Sequence, residues 1–439
     1  MADLLGLAAH FIDEGIYEGP TSVNRVSGEL SEIADGIAVV EAFSHVVSFD
    51  TEDGLVLFDT SLEIFGERVL KALRSWSTRP VRTIAYTHGH IDHVGGAKVF
   101  VDEARANGAP APTVVGHENV PPRFARYQRT NGYNAVINAR QFGGARLGDM
   151  RGMGPSPVER FGPESWVLPD TTFRDRLRLR VGELDLELRH ARGETDDHLW
   201  AWIPQRRALC VGDFVLWVFP NAGNPQKVQR YPLEWAAALR EMAALDAELL
   251  LPAHGLPIGG TERIRGVLDD TATVLESIVE QSLTLMNEGA TLDALIHSVS
   301  LPAALLEKPY LRPVYDEPEF IVRNVWRLYG GWYDGNPSHL KPAPEAVFAA
   351  EIAALAGGVD ALVERASERA AAGELRVACQ LIELATQAEP EHRGAHAARA
   401  EIYQQRRKSE LSLMAKGIYG AASHASAQIA DGGSGSGDG

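Results

Sequence analysis

Short apolar runs separated by turn signals fill the first half of the chain, and amphipathic helical periodicity takes over in the second. Ile37–Glu41, His45–Asp50 and Leu55–Asp59 are apolar or alternating runs that predict strands, with Asp53-Gly54 as the hairpin turn between the last two. Apolar positions at Phe65, Val69, Leu70 and Leu73 predict a helix over Phe65–Trp76. A brief strand at Ile84–Tyr86 and a helix at Gly95–Ala106 follow. A second strand block covers Leu177–Val181, Leu184–His190, Leu199–Ile203 and Ala208–Gly212, before a helix at Leu233–Leu245 and a strand at Leu249–Leu251. Two strand-and-helix halves of this kind predict an α/β fold, an αββα sandwich with functional loops along one edge of the sheets. Between the halves, residues 117–168 are rich in Gly, Asn and Arg and weakly periodic, which predicts a long, partly helical insertion over the site.

Beyond about Arg263 the strand signals stop. Thr271–Met286, Leu292–Val299, Pro318–Tyr329 and Glu345–Leu355 read as amphipathic helices, and Leu362–Glu410 as two or three more with alanine at small-residue spacing. The expected organisation is a sandwich domain over 1–262, an all-α region over 263–422, and a disordered tail over 423–439, whose end is only Gly, Ser and Asp.

Composition narrows the function. A chain of 439 residues calls for two or three domains. A net charge of −17 excludes nucleic acid and anionic membrane as bulk partners, although a metal centre can reverse the field of a pocket locally. The two cysteines, Cys210 and Cys379, are far apart and give no disulfide framework. The apolar Leu4–Phe11 has no basic start or cleavage site, and no run of eighteen apolar residues exists, so a cytoplasmic location is expected.

Chemistry concentrates in Thr87-His88-Gly89-His90-Ile91-Asp92-His93-Val94-Gly95-Gly96. Four ligand-type side chains fall within six residues, directly after a strand and before a glycine-rich helix start. His88 and His90 can converge on one cation across the turn, and Asp92 and His93 can hold a second. Neutral imidazole with carboxylate suits two Zn²⁺, with Mn²⁺ or Fe as alternatives.

The His-x-His-x-Asp-His spacing resembles the signature of the metallo-β-lactamase superfamily, and the resemblance runs from about Ile37 to Pro257. It implies three further ligands: Glu194, where the family usually has histidine, Asp213 after Gly212, and His254 in Pro-Ala-His-Gly. Asp196, Asp197 and His198 rival Glu194 within one turn. With Asp92, Glu194 and Asp213 ionised, two Zn²⁺ would leave a net charge near +1. The carboxylate at 194, together with the helical half, is similar to the alkyl sulfatase branch. Asn134–Gly143, Trp332-Tyr333-Asp334-Gly335-Asn336-Pro337 and Gly373–Ala388 carry that likeness. It implies a helical dimerisation domain, hence a homodimer, and a sulfate-ester substrate with an anionic head and an apolar part. Relatives of this branch generally continue into a lipid-carrier-like domain and often carry glutamate at the position of Asp213. A short, branched or aromatic ester is therefore expected here rather than a long-chain surfactant.

On this reading a metal-bound hydroxide attacks the ester, because two cations lower the pKa of bound water towards ~7, and Asp92 orients it as catalytic residue. Lys227 and Arg230, in Asn221-Ala222-Gly223-Asn224-Pro225-Gln226-Lys227-Val228-Gln229-Arg230, are candidates to receive the anion, against the alternative of an exposed basic pair. Asn138 and Arg140 are further substrate-binding candidates, and Trp217 is a candidate pocket wall. The same scaffold hosts phosphodiesterases, lactonases and thioesterases, and fold alone does not choose among them. A non-enzymatic interaction protein working through its helices is the reading from another class, and the full ligand set argues against it.

Overall fold

The computed structural model describes residues 2–141 and 161–432. They divide into two compact units, 2–134 with 161–331 and 135–141 with 332–432. Two mixed sheets form the centre of the first unit. One runs in spatial order β1 (Leu30–Ala34), β2 (Ile37–Val40), β3 (Val46–Thr51), β4 (Gly54–Phe58), β5 (Val81–Ala85), β6 (Thr113–His117), β7 (Thr171–Phe173). The other contains β8 (Arg176–Val181), β9 (Leu184–His190), β10 (Leu199–Ile203), β11 (Ala208–Gly212), β12 (Leu249–Pro252) and β13 (Ile258–Gly259), also neighbours in chain order. β1 to β4 pair antiparallel, whereas β4 to β7 are parallel, as are β11 and β12.

Side-chain alternation explains the layers. In β4, Val56 and Phe58 point to an inner core shared with Leu186, Leu188, Ala201 and Cys210 of the other sheet. Leu55 and Leu57 point outward, onto Val69 and Leu73 of the helix Gly66–Trp76 and Phe100 of the helix Ala97–Ala106. A strand apolar on both faces is one covered on both faces. The outer face of the second sheet, with Trp200, Leu209 and Leu250, is covered by the helices Leu4–Glu14, Pro232–Ala243 and Thr261–Asn287.

Several boundaries differ from the sequence reading. The first compact unit runs on to Gly331, not to 262, because Ile264, Leu268, Leu275 and Ile278 pack into one core with Trp235 and Leu239. The apolar Leu4–Phe11 is the buried face of a helix in that same core. Of the 117–168 insertion, residues 142–160 lie outside the described residues. The part before them is regular: helix Val120–Arg129, whose prolines sit in the first turn, then Asn131–Gln141. The tail expected to be disordered from 423 is helical to Ala430, because Leu413–Ala430 is one helix; residues 433–439 lie outside the described residues.

The second unit is all helical. Glu345–Ala356, Val359–Ala371, Leu375–Ala388, Arg393–Ser409 and Leu413–Ala430 follow one another, with Ala366, Ala378, Ile382, Ala385 and Ala395 in a core of small side chains. Glu383 and Arg399 tie three of these helices together, and Glu383 is the acceptor between the first two. It accepts from Tyr403 Oη at 2.6 Å and Arg399 Nε at 2.9 Å, and Arg399 Nη1 also donates to Ser426 Oγ at 2.7 Å. No single helix among the described residues is long and apolar enough to cross a membrane.

Candidate metal centre

Loops at the ends of β5, β9, β11 and β12 bring seven ligand-type side chains together, at the sheet edge where mixed α/β folds usually place their sites. His88 and His90 leave the chain after β5 on either side of Gly89. A side chain there would meet Arg123 Cδ and Asp197 Oδ2 at 2.9 Å, so glycine lets the turn close. Nε2 of His88 then faces Nδ1 of His90 at 2.8 Å. Burial, and after it the charge of neighbouring histidines and arginines, holds both imidazoles well below the usual histidine range, so both are neutral with a bare nitrogen available.

Asp92 and His93 lie on the single helical turn Ile91–Val94. Nε2 of His93 is 3.6 Å from Asp92 Oδ2, and Nε2 of His254 is 3.2 Å from the same oxygen. Although burial opposes it, Asp213, Asp59 and Asp92 hold His93 well above its ordinary range. Asp213 stands between the two groups. Its Oδ2 lies 3.8 Å from His88 Nε2, and its Oδ1 lies 3.5 Å from His93 Nε2 and 3.8 Å from His254 Nε2. One carboxylate thus offers one oxygen to each side.

The turn after β9 separates Glu194 from its rivals. Glu194 Oε1 is 3.9 Å from His90 Nδ1. Asp197 instead accepts from Gly89 N at 3.0 Å and Arg123 Nε at 2.7 Å, and Asp196 also accepts from Arg123. His198 stacks behind His88, ring centroids 4.5 Å apart, and its Nε2 accepts from Asp213 N at 3.1 Å. Glu194 is therefore the member of that turn facing the histidines. Burial pushes its carboxyl well up, and Arg230, 3.2 Å away through Nη1, opposes the shift.

These side chains form two groups whose ligand atoms lie within 4.8 Å of one another, His88/His90/Glu194/Asp213 and Asp92/His93/His254. The donor set fits cations. Tetrahedral zinc at ordinary bond lengths spaces its ligand atoms by about 3.3 Å, close to most separations above. Nε2 of His93, Oε2 of Glu194 and Oδ1 of Asp213 are buried without a hydrogen bond of ordinary geometry, a cost that coordination would remove. Behind the ligands, Asp59 Oδ2 lies 2.7 Å from His93 Nδ1 and takes Thr87 Oγ1 at 2.8 Å, the kind of support that fixes a ligand's tautomer.

The remaining expectations divide. Arg230 is buried, not exposed, and its Nη1 donates to the backbone oxygen of Glu194 while Asn221 Nδ2 donates to Glu194 Oε1. Lys227 is half-buried, with Nζ 5.8 Å from the Phe161 ring centroid; burial, then Arg230, lowers its ammonium to about 8. Asn138 and Arg140 lie on the helix Asn131–Gln141, in the part assigned to the second unit, and the cluster is built without them. Trp217 is no pocket wall. It is fully buried, its Nε1 donates to Leu256 O at 2.8 Å, and a φ of 55° turns the indole inward under Gly255. Sequence reasoning missed Asp59, Asn221 and Tyr315. Tyr315 is pushed up by burial and by the charge of Glu194, so it stays a protonated phenol. Only the position of Asp59, a polar residue closing a buried strand, gave any signal.

Comparison with known families decides the lineage. The metallo-beta-lactamase superfamily matches residues 39–254, and the alkyl sulfatase dimerisation family matches residues 291–428. The chain belongs to the metallo-β-lactamase superfamily, in its alkyl sulfatase branch. This alkyl sulfatase-branch chain is 30% identical to a linear primary-alkylsulfatase of Pseudomonas sp. over 340 residues, 76% of its own length and 64% of the relative's. It is 26% identical to an alkyl/aryl-sulfatase of Saccharomyces cerevisiae, over 87% of its own length and 61% of the relative's. It thus spans less than two thirds of the length of these relatives. A stereoselective inverting sec-alkylsulfatase from Pseudomonas sp. shares the fold, with a TM-score of 0.77 at 24% identity over 93% of this chain and 66% of that one.

Proposed function

We propose that the protein is a two-zinc hydrolase of sulfate esters that works as a homodimer. The observation carrying this reading is Asp213, which presents one oxygen to each ligand group while Arg230 and Lys227 stand beside the same centre. Its relatives are alkylsulfatases. Two bound zinc ions would supply a water of lowered pKa and a positive field for the ester oxygens.

The chain's own residues do the rest. Asp92 Oδ2, between His93 and His254, is placed to accept a hydrogen bond from the attacking water and orient it. Arg230 and Asn221 hold Glu194 in place, so its carboxylate keeps one direction. Lys227 and the phenol of Tyr315 provide a cation and a hydrogen-bond donor for the sulfate oxygens. Water is added across the ester, giving the alcohol and sulfate. Support for the homodimer comes from the helical unit, where Phe348 is 55% and Leu355 84% exposed on a helix with little polar face.

The test is metal content by elemental analysis with sulfate release from primary and secondary alkyl sulfates. Two equivalents of zinc with sulfate release is the expected result. Two equivalents without sulfate release, and turnover of a phosphodiester, lactone or thioester instead, would overturn the sulfatase reading.

A further inference from the structure

The loop Asn221–Arg230 carries three of the groups placed beside the metal centre, yet no helix or strand runs through it. Two buried polar side chains from a distant part of the chain hold it. Asp316, fully buried, accepts from Gly223 N at 2.6 Å and Asn224 N at 3.2 Å through Oδ2, and from Glu317 N at 2.8 Å through Oδ1. Asn324, on the helix Pro318–Gly330, makes a two-way bond with Arg230: its Nδ2 donates to Arg230 O at 3.0 Å, and its Oδ1 accepts from Arg230 N at 3.2 Å. The same Oδ1 takes Gln229 Nε2 at 2.9 Å and Arg327 Nη2 at 3.2 Å. Between these two fixings the backbones touch. A side chain on Gly223 would meet Phe320 C at 2.4 Å and Ile321 N at 2.5 Å, so only glycine lets the loop lie on the helix start.

We propose that Asp316 and Asn324 are positioning residues for anion recognition, clamping the Asn221–Arg230 loop so that Lys227 and Arg230 face the metal centre. The proposal rests on the reading that this loop receives the anionic head of the ester. Its consequence is that the segment matched by the dimerisation family, 291–428, also builds the wall of the substrate site. Asp316 fixes the start of the loop and Asn324 its end, leaving Lys227 in the span between two anchored points. Arg230 passes the restraint on to Glu194, through both its backbone oxygen and its carboxylate. A plain helix cap would account only for the bond to Glu317 N. It would not account for the two loop amides on Oδ2 or for the paired bonds at Arg230.

The experiment uses the zinc-loaded full chain and its Asp316→Asn and Asn324→Ser variants; Asn324→Asp, which keeps the shape but loses the donor to Arg230 O, stands in where either fails to fold. Amide hydrogen exchange, zinc content and calorimetric affinity for inorganic sulfate are measured together. The expected result is at least tenfold faster exchange across 221–230 and at least tenfold weaker sulfate binding, with exchange across 86–95 and zinc content unchanged. Folded variants that exchange 221–230 like the parent, or that loosen it and bind sulfate as before, overturn the proposal. So does a parent chain that binds no sulfate. A parent that binds sulfate but cleaves no alkyl sulfate refutes the sulfatase reading and leaves the clamp standing.

Discussion

Oδ2 of Asp59 sits 2.7 Å from Nδ1 of His93, so a proton is held on Nδ1 while Nε2, the nitrogen that would meet a cation, faces Asp92 and Asp213. A wrong tautomer there would point an N–H at the cation. Asp59→Asn places an amide donor against Nδ1 and favours that wrong tautomer. We expect it to weaken the second metal position by about 10–100-fold, the usual range for such support residues, while the His88/His90 group keeps one equivalent. Chelator competition with elemental analysis of the retained metal measures both.

Arg123 and Asp197 form a buried ion pair beneath the turn that carries His88 and His90, and Asp197 also holds Gly89 N. Removing Arg123 strands the buried Asp197, whereas removing Asp197 leaves Arg123 its bond to Asp196. Arg123→Ala should cost about 3–5 kcal/mol in urea unfolding, and Asp197→Ala less. The double variant should cost clearly less than their sum, since the second substitution removes the charge the first one stranded.

Lys227 gives the expected pH dependence its sign. Its ammonium, lowered to about 8 by burial and Arg230, is charged below that pH and neutral above it. Cations at the metal centre push in the same direction. KM for an alkyl sulfate should therefore rise as pH increases through this region. Lys227→Arg, always protonated, should flatten that rise. A KM profile unchanged by the substitution would remove Lys227 from anion recognition.

Trp217 is placed to hold structure rather than substrate. The indole lies under Gly255, next to His254, with no exposed surface. Trp217→Ala should destabilise the protein by about 3–5 kcal/mol, the usual cost of emptying a large aromatic site. Trp217→Phe, measured in the same denaturation series, should cost less and leave KM for an alkyl sulfate unchanged.

The helical unit offers a separate test. Phe348→Glu with Leu355→Glu puts charge on exposed apolar positions and should convert a dimer to a monomer in light scattering, with the helical circular dichroism unchanged.

Much of this was readable from the chain because the informative residues were close together. His88, His90, Asp92 and His93 fall in one short stretch, so their convergence needs only a turn. The strands announced themselves as short apolar or alternating runs. Glu194 was different: spacing within the 191–198 turn cannot say which side chain faces inward, and Arg123, which draws Asp196 and Asp197 away, lies more than sixty residues earlier. Trp217 followed a ligand and was aromatic, but a backbone turn with positive φ sends it into the core. The helix Thr261–Asn287 has the periodicity of a helical domain, yet its apolar stripe belongs to the sandwich. Single polar residues such as Asp316 and Asn324 make no pattern at all. Their roles exist only once distant segments have met.

Asp213 faces both ligand groups, so two cations held there would not load as strangers. The first to arrive would draw charge from an oxygen pair that the other also needs, and would fix the orientation the second meets. By thermodynamic reciprocity the second ion then changes the hold on the first by the same factor. A metal titration of this protein should accordingly show two linked steps and not two independent ones.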